Sequence, residues 1–170
     1  MGASVGLFLV ADDLRVMVDE IWSSLFSPAP EDSPDEAPLR GPLVAGYVDI
    51  AGGWDGRVLV STTEEGAVAI AATMLAVPPE RVLADDLADA MGELANIVGG
   101  SVKSYVDGRS TLSLPAVSHA GAEPPRAPHS LQVTAVWRDF PLRVRVQSAP
   151  SLPMQVGPMQ VGPMQVGWNR

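Results

Sequence analysis

The sequence predicts an α/β (α+β) domain, an antiparallel-rich sheet packed by two or three helices, and three observations lead there. Apolar residues recur at three- and four-residue steps in two long segments, the pattern of helices with one buried face. Two pairs of segments rich in β-branched residues flank short turn-forming stretches, the pattern of hairpins. The length of 170 residues suits one domain that buries about 70% of the surface its unfolded chain exposes.

Taken in order, the apolar run Val5 to Ala11 is too short to cross a bilayer. No basic stretch precedes it, and Asp12 and Asp13 follow at once, so a secretory signal is not expected. It reads as a buried strand or the lead-in to a helix. Asp12 to Phe26 then places Leu14, Met17, Val18, Ile21, Trp22 and Leu25 on one helical face, with Asp12 or Asp13 as cap. Ser27 to Pro42 holds five prolines and is expected to be an exposed loop. Leu43 to Ile50 and Arg57 to Thr62 form the first hairpin, around Gly52-Gly53-Trp54-Asp55-Gly56. Thr62 or Thr63 caps a second helix that runs to about Val77 and stops at Pro78-Pro79.

The longest helix runs from about Ala84 to Tyr105. Ser110 to Ser118 reads as a strand interrupted by Pro115, and Gly121 to Pro128 as a second proline-rich loop. Leu131 to Trp137 and Leu142 to Ser148 make the second hairpin, turning at Arg138-Asp139-Phe140-Pro141. In its last strand Leu142, Val144 and Val146 are expected to face the core, and Arg143, Arg145 and Gln147 water. Pro-Met-Gln-Val-Gly then occurs three times between Pro153 and Gly167. Units so short and rich in Pro and Gly build no packed core. The domain is therefore assigned to 1–149, and 150–170 to a tail expected to be disordered.

Composition narrows the function. The formal net charge is −9 and there is no cysteine. Lys103 is the single lysine. An acidic chain without a Lys/Arg cluster is a poor match for nucleic acid or an anionic membrane. Absence of Cys excludes disulfides and thiol chemistry and fits a cytoplasmic location. His119 and His129 stand ten residues apart without a carboxylate cluster in sequence, so no metal site is expected. Asp85 and Asp86 read as acids at a helix start. Trp22, Trp54 and Trp137 read as packing residues. The paired glycines match neither a Walker nor a dinucleotide fingerprint.

On a wheel turning about 100° per residue, Met91, Leu94, Val98, Val102 and Tyr105 fall within about 60° of Leu87. Asp89, Glu93, Asn96, Gly100 and Lys103 fall opposite. Any amphipathic helix has such a polar side, and solvation alone accounts for most of it. Two details ask for more. Asn is a weak helix former placed mid-helix. Gly99 and Gly100 adjoin it, each about 1 kcal/mol poorer than Ala in a helix interior, which points to close approach by another element or molecule.

The run Glu93-Leu94-Ala95-Asn96-Ile97-Val98-Gly99-Gly100 resembles the E-x-x-N-x-x-x-G signature of the CheC, CheX and FliY chemotaxis phosphatases. Asp89 matches the Asp or Ser found four residues before the Glu in that family. Pro115, in Leu112-Ser113-Leu114-Pro115, matches a Pro some twenty residues after the Asn, at a shorter spacing that suggests a trimmed loop near Asp107-Gly108. A single signature is similar to CheX rather than CheC. The likeness spans roughly Asp12 to Gln147 and implies a CheC/CheX-like fold.

The resemblance implies hydrolysis of the aspartyl phosphate of a CheY-like receiver domain. Asn96 is implied to orient the attacking water, and Glu93 to pair with a receiver lysine. Asp89, Gly100 and Pro115 are implied to help dock the partner. The chain needs no cofactor of its own, with Mg²⁺ expected in the partner receiver, and a homodimer is expected by analogy. Two other readings stay open: a non-catalytic module that binds a receiver or switch protein, and a scaffold dimer whose polar stripe does nothing specific.

Overall fold

The computed structural model describes residues 6–33 and 38–149, and the repeat tail lies outside them. Helix α1 spans Ala11–Leu25, α2 Glu64–Leu75 and α3 Ala84–Lys103. The strands are β1 (Glu31–Asp32), β2 (Leu43–Gly52), β3 (Gly56–Thr63), β4 (Ser110–Leu112), β5 (Ala116–Ala120), β6 (Leu131–Trp137) and β7 (Phe140–Ser148). All pairings are antiparallel, in the order β1-β6-β7-β3-β2-β4, with β5 also pairing β2. The fold is thus the expected α+β domain, one seven-stranded antiparallel sheet with three helices. No helix among the described residues is long and apolar enough to cross a membrane.

The alternation of each strand sorts the sheet into two faces. Val44, Gly46, Val48 and Ile50 of β2, Val58 and Val60 of β3, and Leu142, Val144 and Val146 of β7 share the helix side and are buried. Against them lie Leu14, Val18 and Trp22 of α1, Ile70 of α2, and Leu87, Met91, Leu94, Val98 and Val102 of α3. Burying each such side chain contributes about 1.5–3 kcal/mol. Trp22, Phe26 and Trp137 stack in sequence, with centroids 5.5 and 5.1 Å apart, and tie α1 to β6.

The segment before α1 is a lead-in, not a strand. Phe8 N–H donates to the Tyr105 carbonyl and Asp107 N–H to that of Gly6, each at 3.0 Å. Val10 occupies the cap position of α1 with no side-chain bond, so neither Asp12 nor Asp13 caps it; both lie in the first turn, where the helix dipole favours acids. Thr63 caps α2 as expected, accepting from Gly66 N–H at 3.1 Å. The proline-rich stretch after α1 contains β1, which pairs with β6. Pro115 splits the single expected strand into β4 and β5. The second hairpin is tighter than expected, since Trp137 pairs with Phe140 across Arg138 and Asp139, both at positive φ, the conformation that two-residue turns require.

The other face of the sheet overturns one expectation. Arg143 and Arg145 do not face water; each is only 5% exposed. The loop between β5 and β6 folds back over this face. Glu123 pairs with Arg143 and lies 3.7 Å from Arg145. Arg145 also donates to Gln132 Oε1 at 2.9 and 3.0 Å and to the Pro124 carbonyl at 2.9 Å. Arg143 Nε donates to Thr134 Oγ1 at 3.1 Å. Burial pushes the Arg145 guanidinium below its ordinary range, against the pull of Glu123. Strand alternation told the two faces apart, but a loop some twenty residues away decided whether the second face was wet.

Two outcomes test this packing. Gly46→Ala places a Cβ against the Met91 carbonyl of α3, and neither backbone can yield. It should destabilise the fold by about 3 kcal/mol or more in urea unfolding. Glu123→Gln leaves two buried guanidiniums without their carboxylate, with an expected loss of about 1–3 kcal/mol in the same measurement.

Candidate functional site

Helix α3 is held against β2 by small residues. Met91 O and the Cβ of Ala95 stand where a side chain on Gly46 would lie. A Cβ on Gly99 would strike Val48, and one on Gly92 would touch Pro115 at 3.4 Å. The buried residues of α3 include Ala90, Gly92, Ala95 and Gly99 beside Leu87, Met91, Leu94, Val98 and Val102. The buried arc is therefore wider than the narrow stripe the wheel suggested. Of the expected stripe, Tyr105 falls beyond the helix end.

What remains outside is a short polar strip. Asp89, Glu93 and Gly100 are exposed and Asn96 is half-buried. Glu93 and Asn96 lie one step of three residues apart, about 60° around the helix and about 4.5 Å along it. No hydrogen bond or ion pair engages either side chain among the described residues. The surface neighbours of a helical residue are those three and four positions away. For Asn96 these include Gly92, Glu93, Gly99 and Gly100, so three of its near positions carry no side chain. Two of these are covered by other side chains, Gly92 by Pro115 and Gly99 by Val48, so the amide is open on the side of Gly100, where an added Cβ would meet nothing within 4 Å. The expectation of close approach splits accordingly: Gly99 answers to Val48 within the chain, and Gly100 is open.

One turn toward the helix N-terminus, a groove runs between α3 and the β4–β5 connection. It is lined by Ala88, Asp89, Gly92, Glu93, Pro115 and Val117. Asp89, Glu93 and Pro115 are brought together there, while Asn96 sits just beyond the lining. The connection is pinned to the sheet at Asp49: Ser113 N–H donates to the Asp49 carbonyl, and Asp49 N–H to Ser113 Oγ, both at 2.9 Å. Asp49 is itself gripped by Arg57 at 2.7 and 3.0 Å, and those hydrogen bonds hold its carboxyl below the usual carboxylate range. The first half of α3 is acidic. Asp85 and Asp86 sit in its first turn, and Asp86 accepts from Leu83 N–H at 2.9 Å. Such a strip attracts a cationic group on whatever docks.

His119 is exposed on β5, and His129 lies in the loop before β6. Trp22 and Trp137 are fully buried and Trp54 packs over Gly56, as packing residues should. The glycines beside Asn96 were within reach of the sequence, since the i±3 and i±4 positions are simple to enumerate. The pinning of Ser113 on Asp49 was not, because it joins residues 64 apart.

These features define an α+β domain whose central helix offers an acid and an amide to the outside. The chain belongs to the CheX family: residues 44–136 match the family described as chemotaxis phosphatase CheX. That span contains all of β2 but its first residue, α3 and every residue of the polar strip. The fold is similar to the chemotaxis protein CheX of Vibrio vulnificus, with TM-score 0.65 and 15% identity, covering 86% of this chain and 99% of that one. A CheX of Desulfovibrio desulfuricans matches with TM-score 0.63 and 16% identity over 82% of this chain and 98% of the other. The CheX of a CheX–CheY–BeF₃–Mg²⁺ complex from Borrelia burgdorferi matches with TM-score 0.63 and 14% identity, over 79% and 94%. No curated protein matches the chain in sequence.

Gly100→Ala separates fold from docking. The site is helical and open, so the substitution should stabilise the protein by about 0.5–1 kcal/mol in urea unfolding. A partner seated beside Asn96 at Gly100 meets the added methyl, so the same variant should bind it more weakly.

Proposed function

We propose that the chain hydrolyses the aspartyl phosphate of a receiver domain, with Asn96 positioning the water and Glu93 fixing the docking register. The observation that carries this is the unengaged acid–amide pair on a helix otherwise locked to its sheet. Support also comes from membership of a chemotaxis phosphatase family.

The chemistry asks little of this chain. An acyl phosphate is labile, and water attacks phosphorus in line while the bond from phosphorus to the aspartyl oxygen breaks. The products are inorganic phosphate and the free carboxylate, and the water proton leaves on the phosphate. Mg²⁺ held by the receiver neutralises phosphoryl charge there. What this chain adds is position. The Asn96 carboxamide accepts a hydrogen from the water through its oxygen and donates to a phosphoryl oxygen through its NH₂. Fixing the water on the attack line is the gain available from orientation. Glu93, three residues toward the N-terminus, accepts from a receiver lysine in a charge-assisted bond. A helix bound to β2 through Gly46 and Gly99 keeps the two groups in fixed relation while they enter another protein.

The test is phosphate release from a phosphorylated receiver domain. Asn96→Ala should cost about a hundredfold or more of the acceleration with docking retained. Glu93→Gln should raise the receiver concentration needed for half-maximal rate about tenfold. Binding with a decay rate unchanged by wild-type protein would instead mark a non-catalytic module.

A further inference from the structure

Leu114 is 89% exposed, the most exposed large hydrophobic among the described residues. A lone surface leucine is ordinary and needs no explanation. This one is different in how it is held. Ser113 is bonded in both directions to Asp49, and its hydroxyl also donates to the Leu114 carbonyl at 2.9 Å. On the other side Pro115 packs on Gly92 of α3. β4 and β5 both pair with β2, and the three residues between them have little freedom left. A leucine is thus presented on a stiff perch, away from every core contact.

The perch adjoins the groove lined by Ala88, Gly92, Pro115 and Val117, whose acidic bank is Asp89 and Glu93. Leu114 precedes Pro115 of the groove lining, which holds Asp89 and Glu93, and Asn96 follows Glu93 one helical step on. We propose that Leu114 is the apolar anchor that seats a receiver domain on this chain, placed so that the docked partner meets Glu93 and Asn96 together. This rests on the receiver phosphatase reading and extends it. A receiver that offers a basic group to Glu93 meets the acidic bank favourably, whereas a second copy of this chain would bring the same acids against themselves. Preordering the anchor removes the entropy that a mobile loop would lose on binding.

The experiment measures binding of receiver domains from the source organism, each activated with beryllofluoride and Mg²⁺, together with phosphate release from the phosphorylated forms. Leu114→Ser should melt like wild type, because the side chain contacts no core residue. It should weaken binding about tenfold or more and raise KM by a similar factor with kcat unchanged. Leu114→Met should behave as wild type, and Asn96→Ala should bind normally while release fails. Wild-type binding and KM in Leu114→Ser, beside a silenced Asn96→Ala, would overturn the anchor and leave the phosphatase standing. A change in self-association alone, with receiver binding intact, would overturn it in favour of a second copy. Failure of the wild-type protein to bind or dephosphorylate any receiver would remove both readings.

Discussion

The closeness of α3 to β2 is the constraint from which the rest follows. At Gly46 the sheet has no side chain, and the Met91 carbonyl and Ala95 occupy the space one would take. Four to eight residues on, Gly99 admits Val48 in the same way. A helix seated this deeply cannot rotate to hide its polar side, since every alternative face would drive a side chain into backbone. Large apolar residues hold the opposite side against α1, α2 and the rest of the core. The outward placement of Asp89, Glu93 and Gly100, with Asn96 half-buried among them, is therefore a consequence of packing, not a matter of local solvation.

The same contact sets the surroundings of the strip. Gly92 lets Pro115 lie on the helix, so β4 and β5 can run along the outer edge of β2 with their connection held close to Glu93. Asp49 serves two masters at that edge. Its backbone pairs with Ser113, and its carboxylate with Arg57 of β3, which also covers the Tyr47 ring at 4.2 Å. The groove thus has one wall from a helix interior and one from a sheet edge, and both are fixed to β2.

How far sequence reached can be judged on particular residues. Periodicity placed α3 within two residues and put Glu93 and Asn96 on its outer side, because helical geometry is local and regular. It drew the buried arc too narrow, leaving out Gly92 and Ala95, whose small size lets Pro115 and Gly46 of β2 lie against the helix. Strand alternation found Leu142, Val144 and Val146 but left Arg143 and Arg145 in water. Nothing local distinguishes a wet sheet face from one roofed by a distant loop. The two alternating arginines were a usable signal only together with Glu123, the acid in the proline-rich stretch. The β4–β5 perch was half legible: Pro115 announced a break in the strand, but both halves returning to β2 is long-range information.

An exposed functional group normally faces a conflict. Reaching into another protein requires protrusion from the surface, yet protrusion brings rotamer freedom, and water positioning tolerates little of it. Under the proposed function, the conflict is eased here by a division of labour along one helix. The backbone of α3 is fixed by glycine contacts on one flank and by large side chains on the other, so only side-chain torsions of Glu93 and Asn96 remain free. The open position at Gly100 removes one neighbour that would shield a short amide. A short side chain beside an open position loses less freedom on docking than a long one raised above a crowded surface. On that account Asn, with its two side-chain torsions, suits the position better than Gln would, and Gly100, which weakens the helix by propensity, leaves the space beside so short a side chain open.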